Sequence, residues 1–248
     1  MDKTEITRPS PLSMQHLIRA IHQAMSPILG YWKIRCLGQP IRLLLAYKRV
    51  EYEDKRYEVG DPPEYDKTCW FSVKFKMGFD FPNLPYYIDG NVKITQTLAI
   101  LRYLGRKYGL EGKTEEEKIR VDVLANQAMD LADQLFTVCY YQYDRKPQFL
   151  KELPAKMKQL SDFLGDRTWF AGETLTFVDF LIYEFLDEHR IVAPTCLDGV
   201  VNLQRFLARL EALPPVKEYM ASPSFLPAPL FNKYSLYEIE QRALKGKK

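Results

Sequence analysis

The chain has 248 residues, 46% of them hydrophobic, and a formal net charge of +3. This length and composition suit one large globular domain or two small ones with a substantial core. The basic residues are dispersed, which argues against a nucleic-acid binder, and no apolar run is long enough to span a bilayer. We therefore expect neither a nucleic-acid partner nor a membrane partner.

Cysteine and histidine are both too sparse to suggest a metal centre. The cysteines show neither CxxC pairing nor metal-ligand spacing, and they lie at Cys36, Cys69, Cys139 and Cys196. This usage predicts no metal site and a reducing, cytoplasmic setting. Only His189 follows the first clear strand, near the end of a helical pattern, where a solvated or capping role is expected. Tyrosine, present 16 times, is the remaining candidate for acid chemistry.

The first part of the chain predicts a small mixed sheet. We treat residues 1–24, which are polar and then weakly amphipathic, as a poorly ordered extension. A strand-helix-strand order implies parallel strands, and Asp89-Gly90 between two β-rich runs indicates a hairpin. The predicted elements of domain 25–109 are strands at 28–33 and 53–58, a helix at 39–48, the hairpin, and a helix at 96–108.

The second part predicts helices alone. No strand pattern recurs after residue 112, and two capping boxes mark helix starts, Thr114 with Glu117 and Thr176 with Asp179. Further helices are predicted at 148–164, 203–212 and 215–221. We therefore expect an all-helical domain at 114–233 and a C-terminal tail at 234–248.

Several motifs in a fixed order carry a family resemblance. They are "PILGYWKIRCLGQPIRLLL", "FPNLPYYIDGNVKITQT", "GKTEEEKIRVDVL" and "WFAGETLTFVDFLIYE". From residue 25 to about 233 the chain resembles the mu class of cytosolic glutathione S-transferases. The resemblance implies an α/β plus all-α fold, in which a thioredoxin-like βαβ-ββα domain precedes a helical one. It also implies a homodimer that conjugates glutathione, a co-substrate rather than a cofactor, to hydrophobic electrophiles in detoxification.

The resemblance gives Tyr31 the catalytic role. Its hydroxyl would donate to the glutathione sulfur and stabilise the thiolate. A free thiol has a pKa of about 8.5, and ionising it at neutral pH needs a shift of roughly two units, or about 2.7 kcal/mol. One hydrogen bond to a charged acceptor supplies about 1.5–3 kcal/mol. Without the resemblance, a tyrosine at a strand end would be assigned to packing.

The resemblance also implies the remaining glutathione contacts. Asn83 and Leu84 would hold the cysteinyl part, with Leu84–Pro85 as a cis bond. Gln96 and Thr97 open a helix whose unpaired N–H groups attract the γ-glutamyl carboxylate, although Thr97 also suits a plain cap. The other contacts implied are Trp32, Lys67, Trp70 and Lys74 at the glycyl end, and Asp130, reaching glutathione of the other subunit. On pattern alone, these residues would be core or solvated surface.

The electrophile side and the dimer contact rest on the same resemblance. Tyr140 would stabilise negative charge that develops on the electrophile. Leu37, Met129 and Phe136 would line the hydrophobic site, and Phe81 would be the aromatic key inserted into the partner subunit. Each of these apolar residues also suits an ordinary core position.

The chain departs from the mu pattern at a few places. Cys36 stands where glycine is usual, and Lys33 replaces an acidic residue, which leaves the preferred electrophile open. A cysteine near a helix N-terminus can have a lowered pKa, so a glutathione-dependent thiol transferase or isomerase using Cys36 is one alternative. A non-catalytic carrier of hydrophobic ligands is the other.

Overall fold

The computed structural model describes residues 26–246, so the extension expected at residues 1–24 lies outside the described part. Its sheet has the strand order β2-β1-β3-β4. Strands β1 and β2 are parallel, with Ile28 opposite Glu53, whereas β3 pairs antiparallel with both β1 and β4. The bounds are β1 Ile28–Trp32, β2 Glu53–Tyr57, β3 Tyr86–Asp89 and β4 Val92–Thr95. The predicted parallel pair and hairpin are confirmed.

Helices flank the sheet and are the regular elements of the second part of the described chain. In the first part these are α1 Gln39–Tyr47, α2 Thr68–Phe71 and α3 Thr97–Tyr108. The second part contains α4 Glu115–Tyr140, α5 Lys146–Leu164, α6 Phe177–Val192, α7 Val201–Glu211, α8 Pro214–Met220 and α9 Leu236–Lys245. The sequence did not predict α2 or α9. A Ser235 side chain accepts from Glu238 N at 3.2 Å and caps α9.

Local hydrogen bonds set several helix ends. Glu117 N donates to Thr114 Oγ1 at 3.1 Å, and Thr114 N donates back to Glu117 Oε2 at 3.2 Å, which confirms the first capping box. The second box is also present, with Thr176 N donating to Asp179 at 2.7 Å. Gly109 ends α3 with φ +68°, a backbone conformation that favours glycine.

A group of buried ion pairs links the sheet to helix α6. Arg35, on the loop after β1, donates to both carboxylate oxygens of Glu184 at 2.8 and 2.7 Å. It also donates to Asp187 at 2.5 Å. Burial alone would lower the pKa of Arg35, but the two carboxylates outweigh it and raise that pKa. The guanidinium is therefore a permanent cation that fixes the loop against α6.

Helix α6 is buried almost throughout, because it packs against α1, α3, α4 and α7. This overturns the expected solvated or capping position of His189, whose side chain is fully buried on α6. Its Nδ1 lies 2.6 Å from the Phe185 carbonyl oxygen and donates to it, and its ring faces Phe149.

Among the described residues, no helix is long and apolar enough to cross a membrane.

We expect His189 to make stability fall in mild acid. Burial lowers its pKa from 6.5 to about 4, so below pH 6.5 the unfolded chain takes up a proton that the folded chain refuses. At about 1.4 kcal/mol per unit of pKa difference, the free energy of unfolding should drop by up to about 3 kcal/mol between pH 6.5 and 4. Urea unfolding of wild type and His189→Gln over this range measures the difference. Parallel pH curves for the two proteins would contradict the prediction.

Candidate functional site

Tyr31 lies within strand β1, and its side chain is only 4% exposed. Gly38 packs against its ring so closely that a β-carbon there would lie 2.5 Å from a ring atom, so the approach requires glycine. Burial raises the pKa of the Tyr31 phenol, and Cys36 and Tyr140 raise it further. The hydroxyl therefore keeps its proton at any physiological pH and is available as a hydrogen-bond donor.

Cys36 lies beside the Tyr31 hydroxyl and is buried. Its φ of +43° is in the left-handed region that favours glycine. Burial raises the pKa of its thiol well above the usual range, and the nearby Glu188 raises it further. A reactive cysteine needs the opposite shift. The lowered pKa expected for a thiol transferase or isomerase is therefore wrong for Cys36, because burial and a neighbouring carboxyl outweigh the start of helix α1.

Glu188, on helix α6, is a fully buried carboxyl that lies next to Cys36. Its Oε1 accepts from Cys36 N at 3.1 Å, and its Oε2 has no hydrogen-bond partner within the described part of the chain. Burial raises its pKa well above the usual range, and Glu184 raises it further. The nearby Arg35 already pairs with Glu184 and Asp187. Burial and the absence of a hydrogen-bond partner on Oε2 therefore favour the neutral form of Glu188.

A cavity of about 590 Å³ brings together six of the predicted site residues. Its lining includes Leu37, Asn83, Leu84, Gln96, Thr97 and Met129. Arg102 and Arg106, which the sequence analysis did not single out, also line it. Leu37 and Met129 were assigned to the electrophile side, but they lie in the same cavity as the residues assigned to glutathione.

The backbone adopts uncommon conformations at two points along this cavity. The predicted cis bond at Leu84–Pro85 is present. Leu84 N donates to Asn83 Oδ1 at 2.9 Å, and the buried Thr97 hydroxyl donates to the Leu37 carbonyl at 3.2 Å. Gln96 precedes helix α3 with φ +76°, an uncommon conformation that is frequent at ligand sites.

The four residues predicted for the glycyl end differ in exposure. Trp70 is buried, with its ring 5.3 Å from Tyr57 and 6.0 Å from Tyr86. Trp32 is half-buried at the end of β1. The Lys67 ammonium lies 4.0 Å from the ring centroid of Tyr234, whereas Lys74 lies between the rings of two exposed phenylalanines at 71 and 75.

Phe136 and Tyr140, on helix α4, form a second aromatic group with the C-terminal segment. Phe136 packs edge-on against Phe231, and Tyr140 packs against Phe231 and Tyr234. The Tyr140 oxygen accepts from Asn232 N at 2.9 Å, which leaves its own proton free for another acceptor. Burial raises the pKa of Tyr140, so this proton is retained at neutral pH.

Asp130 and Phe81 lie on the surface, away from these groups. Phe81 is 80% exposed, an unusual degree for a phenylalanine. Asp130 lines a separate pocket of about 280 Å³ between helices α4 and α5, together with Val123, Leu160 and Phe163. Within the described ranges, no group of three His, Cys, Asp or Glu side chains is arranged to hold a metal ion.

Tyr234 was not predicted as a site residue, because it falls in the C-terminal tail at 234–248. Tyr234 contacts Lys67 and Tyr140, two predicted site residues from different domains. The "SLYE" run at 235–238, a serine followed three residues later by glutamate, was the available signal for a helix that holds this segment. Nothing local indicated which side chains Tyr234 would meet.

Comparison with known proteins identifies both parts of the chain. Residues 27–106 match the family described as "Glutathione S-transferase, N-terminal domain", and residues 129–223 match "Glutathione S-transferase, C-terminal domain". Glutathione S-transferase Mu 2 of Rattus norvegicus is 56% identical over 215 residues, which cover 86% of this chain and 99% of that protein. Glutathione S-transferase Mu 4 of Homo sapiens is 54% identical with the same coverage.

Solved structures agree with this assignment. The glutathione S-transferase Blo t 8 superposes with a TM-score of 0.78 at 30% identity, covering 84% of this chain and 98% of that one. The pi-class glutathione S-transferase of Onchocerca volvulus gives 0.76 at 31% identity, covering 85% and 100%. With its two matching domains, its thioredoxin-like sheet and its helical second part, this chain belongs to the mu class of the glutathione S-transferases.

Proposed function

We propose that this chain conjugates reduced glutathione, bound as a thiolate at Tyr31, to hydrophobic electrophiles in detoxification. The observation that carries the proposal is the Tyr31 hydroxyl, which is buried, keeps its proton and lies beside Cys36 and Tyr140. A phenol held in this way stabilises a thiolate more than a thiol, because hydrogen bonds to charged acceptors are the stronger ones. No cofactor is needed for this step.

The cavity of about 590 Å³ would hold the rest of the glutathione molecule. Its cysteinyl amide would pair with the backbone at Leu84, replacing the Asn83 side chain that occupies Leu84 N. Its γ-glutamyl carboxylate would meet the first N–H groups of α3 at Gln96 and Thr97. Its glycyl carboxylate would meet the cations and indoles at Trp32, Lys67, Trp70 and Lys74.

Tyr140 is suited to the electrophile. Its oxygen already accepts from Asn232 N, so its hydroxyl proton can be donated to an oxygen that gains charge during addition. Phe136, which packs beside it, supplies apolar surface. Leu37 and Met129 would contribute the side of the electrophile site that adjoins glutathione.

A homodimer explains Phe81 and Asp130 together. An exposed phenylalanine buries a large apolar area when it enters a pocket, and the pocket between α4 and α5 offers apolar walls at Val123, Leu160 and Phe163. Because Asp130 lies at the same pocket, docking of Phe81 would bring Asp130 toward the partner's glutathione.

The described cysteines are all unpaired thiols, which is compatible with the proposed cytoplasmic location.

Replacing Tyr31 by Phe should leave glutathione binding largely intact but raise the pKa of the bound thiol by about one to two units, because one charge-assisted hydrogen bond is lost. At pH 6.5, kcat/KM with 1-chloro-2,4-dinitrobenzene should fall roughly 10- to 100-fold. The loss should shrink as the pH rises through the raised thiol pKa. Thiolate absorbance of the glutathione complex against pH measures the shift directly.

Cys36→Ser is the matched control for Tyr31→Phe. It keeps a small polar group at a neighbouring position and should retain most of the activity. Full activity of Tyr31→Phe together with inactivity of Cys36→Ser would reject the tyrosine mechanism and favour cysteine chemistry.

Tyr140→Phe should leave the affinity for glutathione nearly unchanged. Opening of an epoxide should slow roughly 10- to 100-fold, because the transition state loses a donor to its developing oxyanion. Substitution on an aryl halide limited by product release should be unchanged or faster, since the bond to Asn232 N that holds the C-terminal segment is also lost. Steady-state rates with one epoxide and one aryl halide decide between this role and plain packing, which predicts equal changes.

Phe81→Ala should shift the chain from dimer to monomer at micromolar concentration and reduce turnover, because the glutathione site then lacks the partner's Asp130. Sedimentation velocity at several concentrations measures the shift. Phe75→Ala is the matched control, because Phe75 is 77% exposed in the same segment. A monomeric wild type with full activity at assay concentration would contradict the dimer proposal.

A further inference from the structure

Tyr234 lies where the two domains face each other across the site. Its ring centroid is 5.7 Å from that of Tyr140 in the helical domain and 6.2 Å from that of Tyr65 in the sheet domain. The Lys67 ammonium lies 4.0 Å from the same centroid, within cation–π distance. Burial raises the pKa of Tyr234, so its hydroxyl keeps its proton at neutral pH.

The two residues that precede Tyr234 are attached to different domains. Asn232 N donates to the Tyr140 hydroxyl at 2.9 Å in the helical domain. Lys233 makes ion pairs with Asp61 at 2.7 Å and with Glu58 at 3.5 Å in the sheet domain. The segment 232–234 therefore crosses from one domain to the other, with Tyr234 at the crossing.

Helix α9 holds this segment in place. Glu238 Oε1 accepts from Leu230 N at 3.0 Å and from Phe231 N at 3.3 Å. Arg242 donates to the Lys233 carbonyl at 2.6 Å. Glu240 bonds to Tyr143 and pairs with Lys146, so the outer part of α9 is also tied to the helical domain. The position of the Tyr234 ring is thus set by several bonds rather than by its own contacts alone.

We propose that Tyr234 is a specificity-determining residue of the conjugation reaction, forming the wall between the glycyl end of glutathione and the electrophile. This inference rests on the proposed function, which supplies the roles of Lys67 and Tyr140. The ring has two effects. It holds the Lys67 ammonium in position for the glycyl carboxylate. It also narrows access to Tyr140 by its bulk, so that small electrophiles are favoured over bulky ones.

Three substitutions separate these two effects. Tyr234→Phe keeps the ring and should match wild type, because the hydroxyl makes only a 3.5 Å contact with Asn232 Nδ2. Tyr234→Leu keeps bulk but loses the π-face, so KM for glutathione should rise about three- to tenfold while the electrophile preference is retained. Tyr234→Ala should raise KM similarly and also shift preference toward the bulky electrophile by about fivefold or more.

The assay compares kcat/KM for 1-chloro-2,4-dinitrobenzene with that for a polycyclic arene epoxide, together with KM for glutathione. Leu244→Ala is the matched control, because Leu244 is 52% exposed on the same helix α9 and should behave as wild type. Circular dichroism and thermal unfolding establish that each variant is folded. Detachment of the whole C-terminal segment would affect Tyr234→Leu and Tyr234→Ala alike. A change in the ratio of kcat/KM for the two electrophiles in Tyr234→Ala alone therefore indicates that the bulk of the side chain limits access.

If the wild type is active and Tyr234→Ala changes neither the KM for glutathione nor the electrophile ratio, this inference is overturned while the proposed function stands. Equal damage from Tyr234→Phe and Tyr234→Ala would also overturn it, since the hydroxyl rather than the ring would then matter. A wild type that conjugates neither electrophile would overturn the proposed function itself, and the role of Tyr234 with it.

Discussion

The position of strand β1, which carries Tyr31, depends on the buried ion pairs of Arg35. Arg35 follows Tyr31 by four residues and binds Glu184 and Asp187 on helix α6, so the loop after β1 is fixed to the helical domain. Removing one partner of a buried pair costs about 3–5 kcal/mol, because the other charge is left unpaired. The pairs therefore help to set the relative position of the two domains.

The same ion pairs decide the electrostatics of the site. Two carboxylates compensate Arg35, and Asp187 also accepts from Arg190, which leaves the third acid, Glu188, without a cation of its own. Burial and the nearby Glu184 raise its pKa well above the usual range, which favours its neutral form. Tyr31 and Cys36 stay protonated for the same reason, namely burial. A glutathione thiolate at Tyr31 would then be the anion that these neutral donors stabilise, which is the environment thiolate chemistry requires.

Residues from distant parts of the sequence meet at Tyr234, between the two domains. Lys67 belongs to the sheet domain and Tyr140 to helix α4, yet both contact Tyr234 in the segment before α9. Under the proposed function, this arrangement would let a short C-terminal segment act on both the glutathione end and the electrophile side.

The sequence by itself determined the elements whose signals are local. The parallel strand pair, the Asp89-Gly90 hairpin and the cap at Thr114 follow from neighbouring residues, and the family motifs placed Tyr31 in β1. Only the tertiary structure decided that His189 is buried, that the thiol pKa of Cys36 is raised and that Tyr234 meets Lys67. Burial, dielectric environment and long-range neighbours depend on how helices pack, and helix periodicity does not specify that packing.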